Sequence, residues 1–152
     1  LKVLLQRVSR AEVRVDGRAV ARIGGGLLVL VGVERGDRAE DADYMADKTA
    51  ELRIFPDDAG RMNRSLEQTG GEALVVSQFT LAAATRRGRR PSFSRAAAPE
   101  VAEPLVARYA DGLRTRGLSV SSGVFGAMME VESVNRGPVT ILLDPPPQRG
   151  TA

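Results

Sequence analysis

The sequence predicts an α/β fold: a mixed domain of largely antiparallel β-sheets packed together and covered by two main helices. Three observations predict it. Asp16-Gly17 separates two short apolar-rich runs, the pattern of a tight hairpin. Two segments, one on each side of the chain's midpoint, carry apolar residues at helical spacing. The remaining apolar runs are short and bounded by Gly, Pro and polar residues, as strands are. At 152 residues the chain has the length of one compact domain, which can bury a sufficient core without disulfide or metal staples.

Val3 to Val8 is the first strand. Ala11–Val15 and Arg18–Ile23 are hairpin arms, because a type I′ turn needs φ > 0 at both central residues and Asp-Gly accepts it. Gly24, Gly25 and Gly26 make a turn into Leu27–Val33, whose unbroken apolar run reads as a strand buried on both faces. Asp37 with Glu40 three residues on resembles a capping box. Ala42, Met45, Ala46, Thr49 and Leu52 then follow helical spacing, so a helix is expected from Arg38 to about Leu52. Ile54-Phe55 is a brief strand and Pro56–Gly60 a turn. Ala73–Leu81 is a strand, followed by an irregular loop over Ala82–Ser94.

Pro99 opens a second helix, along which Val101, Leu105, Tyr109 and Leu113 recur every four residues up to a C′ glycine, Gly117. Val120–Gly123, Ala127–Val134 and Val139–Leu143 are strands, the middle one alternating Met129 and Val131 with Glu130 and Glu132. The domain is expected over residues 1–144, and Pro145–Ala152 as an extended tail. Hairpins and only two main helices argue against a doubly wound dinucleotide fold, and Gly24-Gly25-Gly26 does not fit a GxGxxG phosphate cradle.

Histidine and cysteine are both absent. No Ser-His-acid triad, histidine base, thiolate nucleophile or His/Cys metal site exists. Any catalysis must use hydroxyls, carboxylates, amides, Lys or Arg, or a group brought by the substrate; no cofactor and no metal is expected. The lack of cysteine fits a reducing compartment, and the chain opens with no signal-peptide pattern. The longest apolar run, Leu27–Val31, is far short of a membrane span. A cytoplasmic location with no membrane partner is expected.

The net charge is +3, and its distribution is informative. Arg86, Arg87, Arg89, Arg90 and Arg95 fall within eleven residues that contain no acid. Without them 17 basic residues face 19 acidic ones, so the positive charge is local. Four mutually repelling arginines in five residues point to a polyanion partner as readily as to a solvated loop. Phe93 is the only ring near them in sequence, which favours phosphate contact over base stacking.

Two further clusters stand out. Ser77-Gln78-Phe79-Thr80-Leu81 gathers hydroxyl and amide groups at an expected strand end, and on the residues alone it reads more readily as an ordinary polar terminus. Asn135-Arg136-Gly137-Pro138-Val139-Thr140 has the composition of a plain turn between strands. Together, in this order and spacing, they resemble the two signature motifs of the D-aminoacyl-tRNA deacylase (D-tyrosyl-tRNA deacylase) family. The similarity extends over Lys2–Val8, Gly32–Asp37, Leu52–Phe55, Arg90–Ser94 and Gly123–Gly126.

The resemblance implies an ester hydrolase that removes D-amino acids, and glycine, from the 3′-terminal adenosine of tRNA and rejects L-aminoacyl-tRNA. It implies a homodimer in which a cis Gly137-Pro138 motif enters the partner subunit's active site and excludes L-residues by backbone collision. Arg7 and Asn135 would support that motif. Phe125 and Met129 would line the adenine pocket, and Ser77, Gln78, Phe79 and Thr80 would surround the ester. Arg86, Arg87, Arg89 and Arg90 would hold tRNA phosphates. Backbone N–H groups of Phe79 and Thr80 would face the oxyanion, with the tRNA 2′-hydroxyl assisting the attack by water. Thr80 is expected to position rather than attack, since no base is at hand to activate it.

The chain departs from the family pattern at Ala84, Met128 and Arg136, where acids are common, so negative charge is lost near the expected tRNA surface. A related branch that clears mischarged L-alanyl-tRNA lacks Ser-Gln-Phe before the threonine. A noncatalytic tRNA-binding module using the arginine loop alone is the reading from another class.

Overall fold

The computed structural model describes residues 1–147. Its strands are β1 (Lys2–Val15), β2 (Arg18–Ile23), β3 (Gly26–Gly32), β4 (Phe55–Pro56), β5 (Met62–Arg64), β6 (Glu72–Ser77), β7 (Ser119–Ser122) and β8 (Glu130–Leu142). Its helices are α1 (Ala39–Glu51), the single-turn α2 (Leu66–Thr69) and α3 (Pro99–Thr115), with a 3-10 turn at Phe79–Ala82. The fold is mixed α/β, with one six-stranded sheet in the order β2-β1-β3-β6-β7 and β8 also paired to β1. β1 is antiparallel to β2, β3 and β8, while β3–β6 and β6–β7 are parallel. In place of separate sheets packed together there is this one sheet and a small β4–β5 ribbon.

Each face of the sheet has its own core. Val3 and Leu5 of β1, Leu27, Val29 and Val31 of β3, and Ala73 and Val75 of β6 lie under α1 and α3. The alternate residues Leu28, Leu74 and Val76 meet Val8, Ala11, Val13 and Ile23 on the other face. β1 contributes to both cores because its pairing with β8 shifts register around Val8, between Gln6 and Arg10. A register shift of one residue sends the following side chains to the opposite face. The two strands expected at Val3–Val8 and Ala11–Val15 are therefore one strand with an irregularity. Its hairpin to β2 is as expected, with Asp16 at φ 50° and Gly17 at φ 77°.

α1 and α3 pack together through buried Tyr109, whose hydroxyl shares a 2.7 Å hydrogen bond with that of Thr49. Burial pushes the Tyr109 phenol well above its usual range. The surface between the helices carries a bidentate Arg108–Asp43 pair and an Arg116 guanidinium shared by Asp47, Glu51 and Glu67. The expected Asp37–Glu40 capping box is displaced by one residue. Asp41 accepts from the Arg38 N–H at 2.8 Å, because the Asp37 carboxylate is already bound to the Glu34 N–H at 2.6 Å. Among the described residues no helix is long and apolar enough to cross a membrane. The expected tail from Pro145 lies mainly outside the described residues.

Candidate active site

β6 ends where its partner ends. The Gln78 N–H donates to Val31 O at 2.8 Å, after which β3 stops at Gly32 and the chain turns into the 3-10 segment. The strand expected to reach Leu81 thus stops at Ser77. The first bond internal to the turn runs from Leu81 N–H to Gln78 O, so the Phe79 and Thr80 N–H groups precede it and have no partner within the turn. The Gln78 side-chain amide donates to Thr80 Oγ1. Phe79 projects outward, 56% exposed, and meets Phe93 edge-to-face with ring centroids 5.1 Å apart.

Gly32 lies beneath this turn. A Cβ at Gly32 would come within 2.8 Å of Gln78 O and 2.9 Å of Leu81 Cβ. Only a residue without a side chain lets β3 approach the turn so closely. In the sequence Gly32 is one member of a family-like stretch with no role of its own; its role is visible in the packing.

A cavity of about 220 Å³ opens between α3 and the ends of β6 and β7. Ser77 and Phe125 both line it, with Val106 and Ala110 of α3 on the other side and Glu103 and Arg114 supplying charge. Ser77 turns into it because it shares the face of Val75. Met129 does not line the cavity. It packs against the second core, and a Cβ at Gly123 would come within 2.7 Å of its sulfur.

The Gly137-Pro138 peptide bond is cis. It is not in a turn joining two strands but in a bulge within β8. Val8 is opposite Asn135 and Gln6 is opposite Thr140, so Arg7 alone faces residues 136–139. Arg7 fastens the bulge, donating through Nε to Arg136 O at 3.0 Å and through Nη1 to Ile54 O at 2.8 Å. Asn135 clasps it from the other side, accepting from the Val139 N–H at 2.8 Å and donating to Thr140 Oγ1 at 2.9 Å. Because β8 pairs only with β1, a proline here breaks no second ladder. A Cβ at Gly137, φ 141°, would sit 2.8 Å from Val139 Cγ2 and 3.1 Å from Arg7 Nη2. Arg136 contributes its carbonyl to this clasp, so the departure from an acid leaves the Arg7 bond in place.

Within one chain this bulge and the end of β6 are far apart. Arg7 pairs with Leu27 at the start of β3, whereas Ser77 pairs with Val31 near its end. That is roughly 13 Å along the strand and, over the three spacings from β8 through β1 and β3 to β6, roughly 14 Å across the sheet.

The arginine loop is pinned at its base. Ala84 and Ser92 exchange backbone hydrogen bonds of 2.8 and 2.9 Å, closing residues 85–91 into a loop. Arg86, Arg87, Arg89 and Arg90 are exposed on it. No ion pair engages them among the described residues, in contrast to Arg10, Arg14, Arg22, Arg108 and Arg116.

Comparison with known proteins agrees with this geometry. Residues 4–144 match the family model described as D-Tyr-tRNA(Tyr) deacylase. A D-aminoacyl-tRNA deacylase of Roseiflexus castenholzii is 61% identical over 95% of this chain and 92% of its own length. One from Thermomicrobium roseum is 59% identical over 99% and 97%. Among solved structures, a c-Myc DNA unwinding element binding protein superposes with a TM-score of 0.89 at 37% identity, covering 95% of this chain and 98% of the other. The chain belongs to the D-Tyr-tRNA(Tyr) deacylase family, and it is accordingly a hydrolase acting on aminoacyl-tRNA.

Proposed function

We propose that the protein hydrolyses the ester between a D-amino acid, or glycine, and the 3′-terminal adenosine of tRNA, and that it rejects L-aminoacyl-tRNA by main-chain shape. The Gly137-Pro138 bulge carries this reading. The side chains of Arg7 on one side and Asn135 on the other clamp it, so the wall presented to the substrate is main chain and has no rotamers of its own. A wall of this kind leaves room for hydrogen at the substrate α-carbon and none for an L side chain. A D side chain points away from it, and glycine has none to exclude. Chirality is judged while the amino-acid side chain goes largely unread.

In this reading the active form is a homodimer, since only a second copy brings the bulge to the end of β6. The exposed apolar residues Val131, Val134 and Leu142 on β8 support a partner beside the bulge. The terminal adenine enters the cavity beside Phe125, with Met129 shaping its wall through Gly123. The scissile ester lies along Ser77–Thr80. The Phe79 and Thr80 N–H groups face the developing oxyanion, a contribution worth roughly 3–4 kcal/mol per donor in well-studied hydrolases. The Thr80 hydroxyl, already engaged by Gln78, positions the substrate, and the tRNA 2′-hydroxyl assists water. The arginine loop holds tRNA phosphates. Such proofreading belongs in the cytoplasm, where aminoacyl-tRNA is used.

Deacylation of D-tyrosyl-, L-tyrosyl- and glycyl-tRNA by the wild-type protein tests the proposal. Rapid loss of the first and third with the second spared is expected. Similar rates for the two tyrosyl enantiomers would overturn chiral rejection, and an intact D-ester would leave only a tRNA-binding module.

A further inference from the structure

We infer that Phe79 and Phe93 form a stacking platform for an unpaired RNA base, the base next to the 3′-terminal nucleotide. In the sequence Phe93 stands alone beside the arginines, and the pattern reads as phosphate contact without stacking. The fold changes this by setting Phe79 against Phe93, edge-to-face at 5.1 Å with 71° between the ring planes. Four of the 152 residues are Phe, and these two are the exposed ones, 56% and 36%. Phe55 is buried and Phe125 lines the cavity. Exposing two aromatic rings side by side forgoes the burial that ordinarily recommends them, so their position calls for a ligand.

The surroundings identify the ligand. The platform lies between the end of β6, which leads to the cavity through Ser77, and the arginine loop, whose base is the Ala84–Ser92 bridge immediately before Phe93. The cavity at Ser77, the exposed aromatic pair joined at Phe79 two residues on, and the exposed arginines that precede Phe93 form one succession through these residues. A single-stranded nucleic-acid end presents the same order: a terminal base, a following base with a π-face, and phosphates. The dimer proposed above brings a partner's bulge to the end of β6, but the exposed arginines beside the rings call for a polyanion, which a bulge carrying Arg136 does not supply. The platform presupposes the deacylase reading above only in taking the RNA to be the acceptor end of tRNA.

Stacking reads a π-face and no edge pattern, so it adds affinity and alignment without sequence choice. It places the ester by fixing the nucleotide behind it.

The test is binding of uncharged RNA hairpins with a single-stranded 3′ end, measured by fluorescence anisotropy. One hairpin carries the natural penultimate base and one an abasic residue there. Wild type is compared with Phe93→Leu and Phe93→Trp, each checked for folding by its thermal melt. Phe93→Leu should bind the natural hairpin about five- to a hundredfold more weakly, the range for one stacked base. It should bind the abasic hairpin like wild type, and Phe93→Trp should restore affinity. The dependence on salt should be unchanged, since every phosphate keeps its cation. Equal weakening on both hairpins, or none on either, would overturn the platform. A shift in sedimentation of Phe93→Leu toward monomer, with RNA affinity intact, would overturn it too and assign the rings to a subunit interface. None of these readouts involves hydrolysis or chirality, so failure here is distinct from failure of the proposed reaction.

Discussion

Gly32 illustrates how a residue without chemistry places residues with it. The Gln78 carbonyl and the Leu81 Cβ occupy the space a side chain at Gly32 would need. Main-chain atoms yield little, so Gly32→Ala should lift the turn that carries Phe79 and Thr80. Displacements near 1 Å in a catalytic geometry cost about a hundredfold, and a tenfold to hundredfold fall in kcat is expected, with KM for tRNA changed less. Single-turnover kinetics at saturating tRNA check this. Thr80 makes the opposite case. Its hydroxyl accepts from Gln78, the chain has no histidine to activate it, and Thr80→Ala should retain measurable deacylation. An acyl-ester trapped on Thr80 of the wild-type protein would contradict that assignment. The residues that signal function in the sequence are those whose side chains or motif spacing are unusual, such as Asn135 and Gly137-Pro138. Gly32 gives no such signal, because the need for its hydrogen arises only when β3 and the turn meet.

At the level of elements, the arginine loop and the main sheet each carry a measurable electrostatic consequence. Replacing Arg86, Arg87, Arg89 and Arg90 by Ala should weaken binding of different tRNAs alike. It should also flatten the plot of log K against log salt by roughly 0.7–0.9 for each phosphate that no longer meets an arginine. An unchanged slope would remove the loop from the RNA surface. Across β2, β1 and β8, Glu12 lies between Arg22 and Arg14, and Arg14 and Arg10 in turn hold Glu132. The arginine hydrogen bonds keep both carboxyls below the usual carboxylate range. A carboxylate whose pKa falls on folding stabilises the fold above its unfolded value and loses that contribution as pH drops through its folded value. Urea unfolding from about pH 6 to about pH 3 should therefore show falling stability, with a shallower fall in Glu12→Gln. Elements with local punctuation are legible in the sequence: the Asp16-Gly17 hairpin, α1, and α3 from Pro99 to the C′ position at Gly117, φ 83°. The capping box Ser65–Gln68 that opens α2 is a local signal of the same kind, but a single turn carries too little apolar periodicity to draw notice to it. The ends of β6 and β1 are not legible, because where a strand stops or shifts depends on its partner strand, as Gln78 depends on Val31.

At the scale of the molecule, the two motifs with the strongest sequence signal sit apart. Gly137-Pro138 is anchored opposite the start of β3, and Ser77–Thr80 begins near that strand's other end. The sheet between them is packed on both faces by buried residues, so no motion short of unfolding closes that gap within one chain. If both motifs act on one ester, they come from different copies, and each active site is composite. Subunit mixing tests this. Gly137→Val should disable the bulge, since even a Cβ there would come within 2.8 Å of Val139 Cγ2 and 3.1 Å of Arg7 Nη2. Ser77→Trp should disable the other half, since Ser77 lines the cavity. Each variant alone should be inactive while remaining folded. In a mixed dimer one site joins the intact β6 end of the first variant to the intact bulge of the second. Random reassociation makes about half the dimers mixed, each with one good site of two, so mixing should restore roughly a quarter of wild-type activity. Recovery should follow subunit exchange in time and disappear when the two proteins are separated by a membrane. Mixtures that stay inactive despite demonstrated exchange would mean that each chain builds its site alone, and the wall at Gly137-Pro138 would then need another purpose.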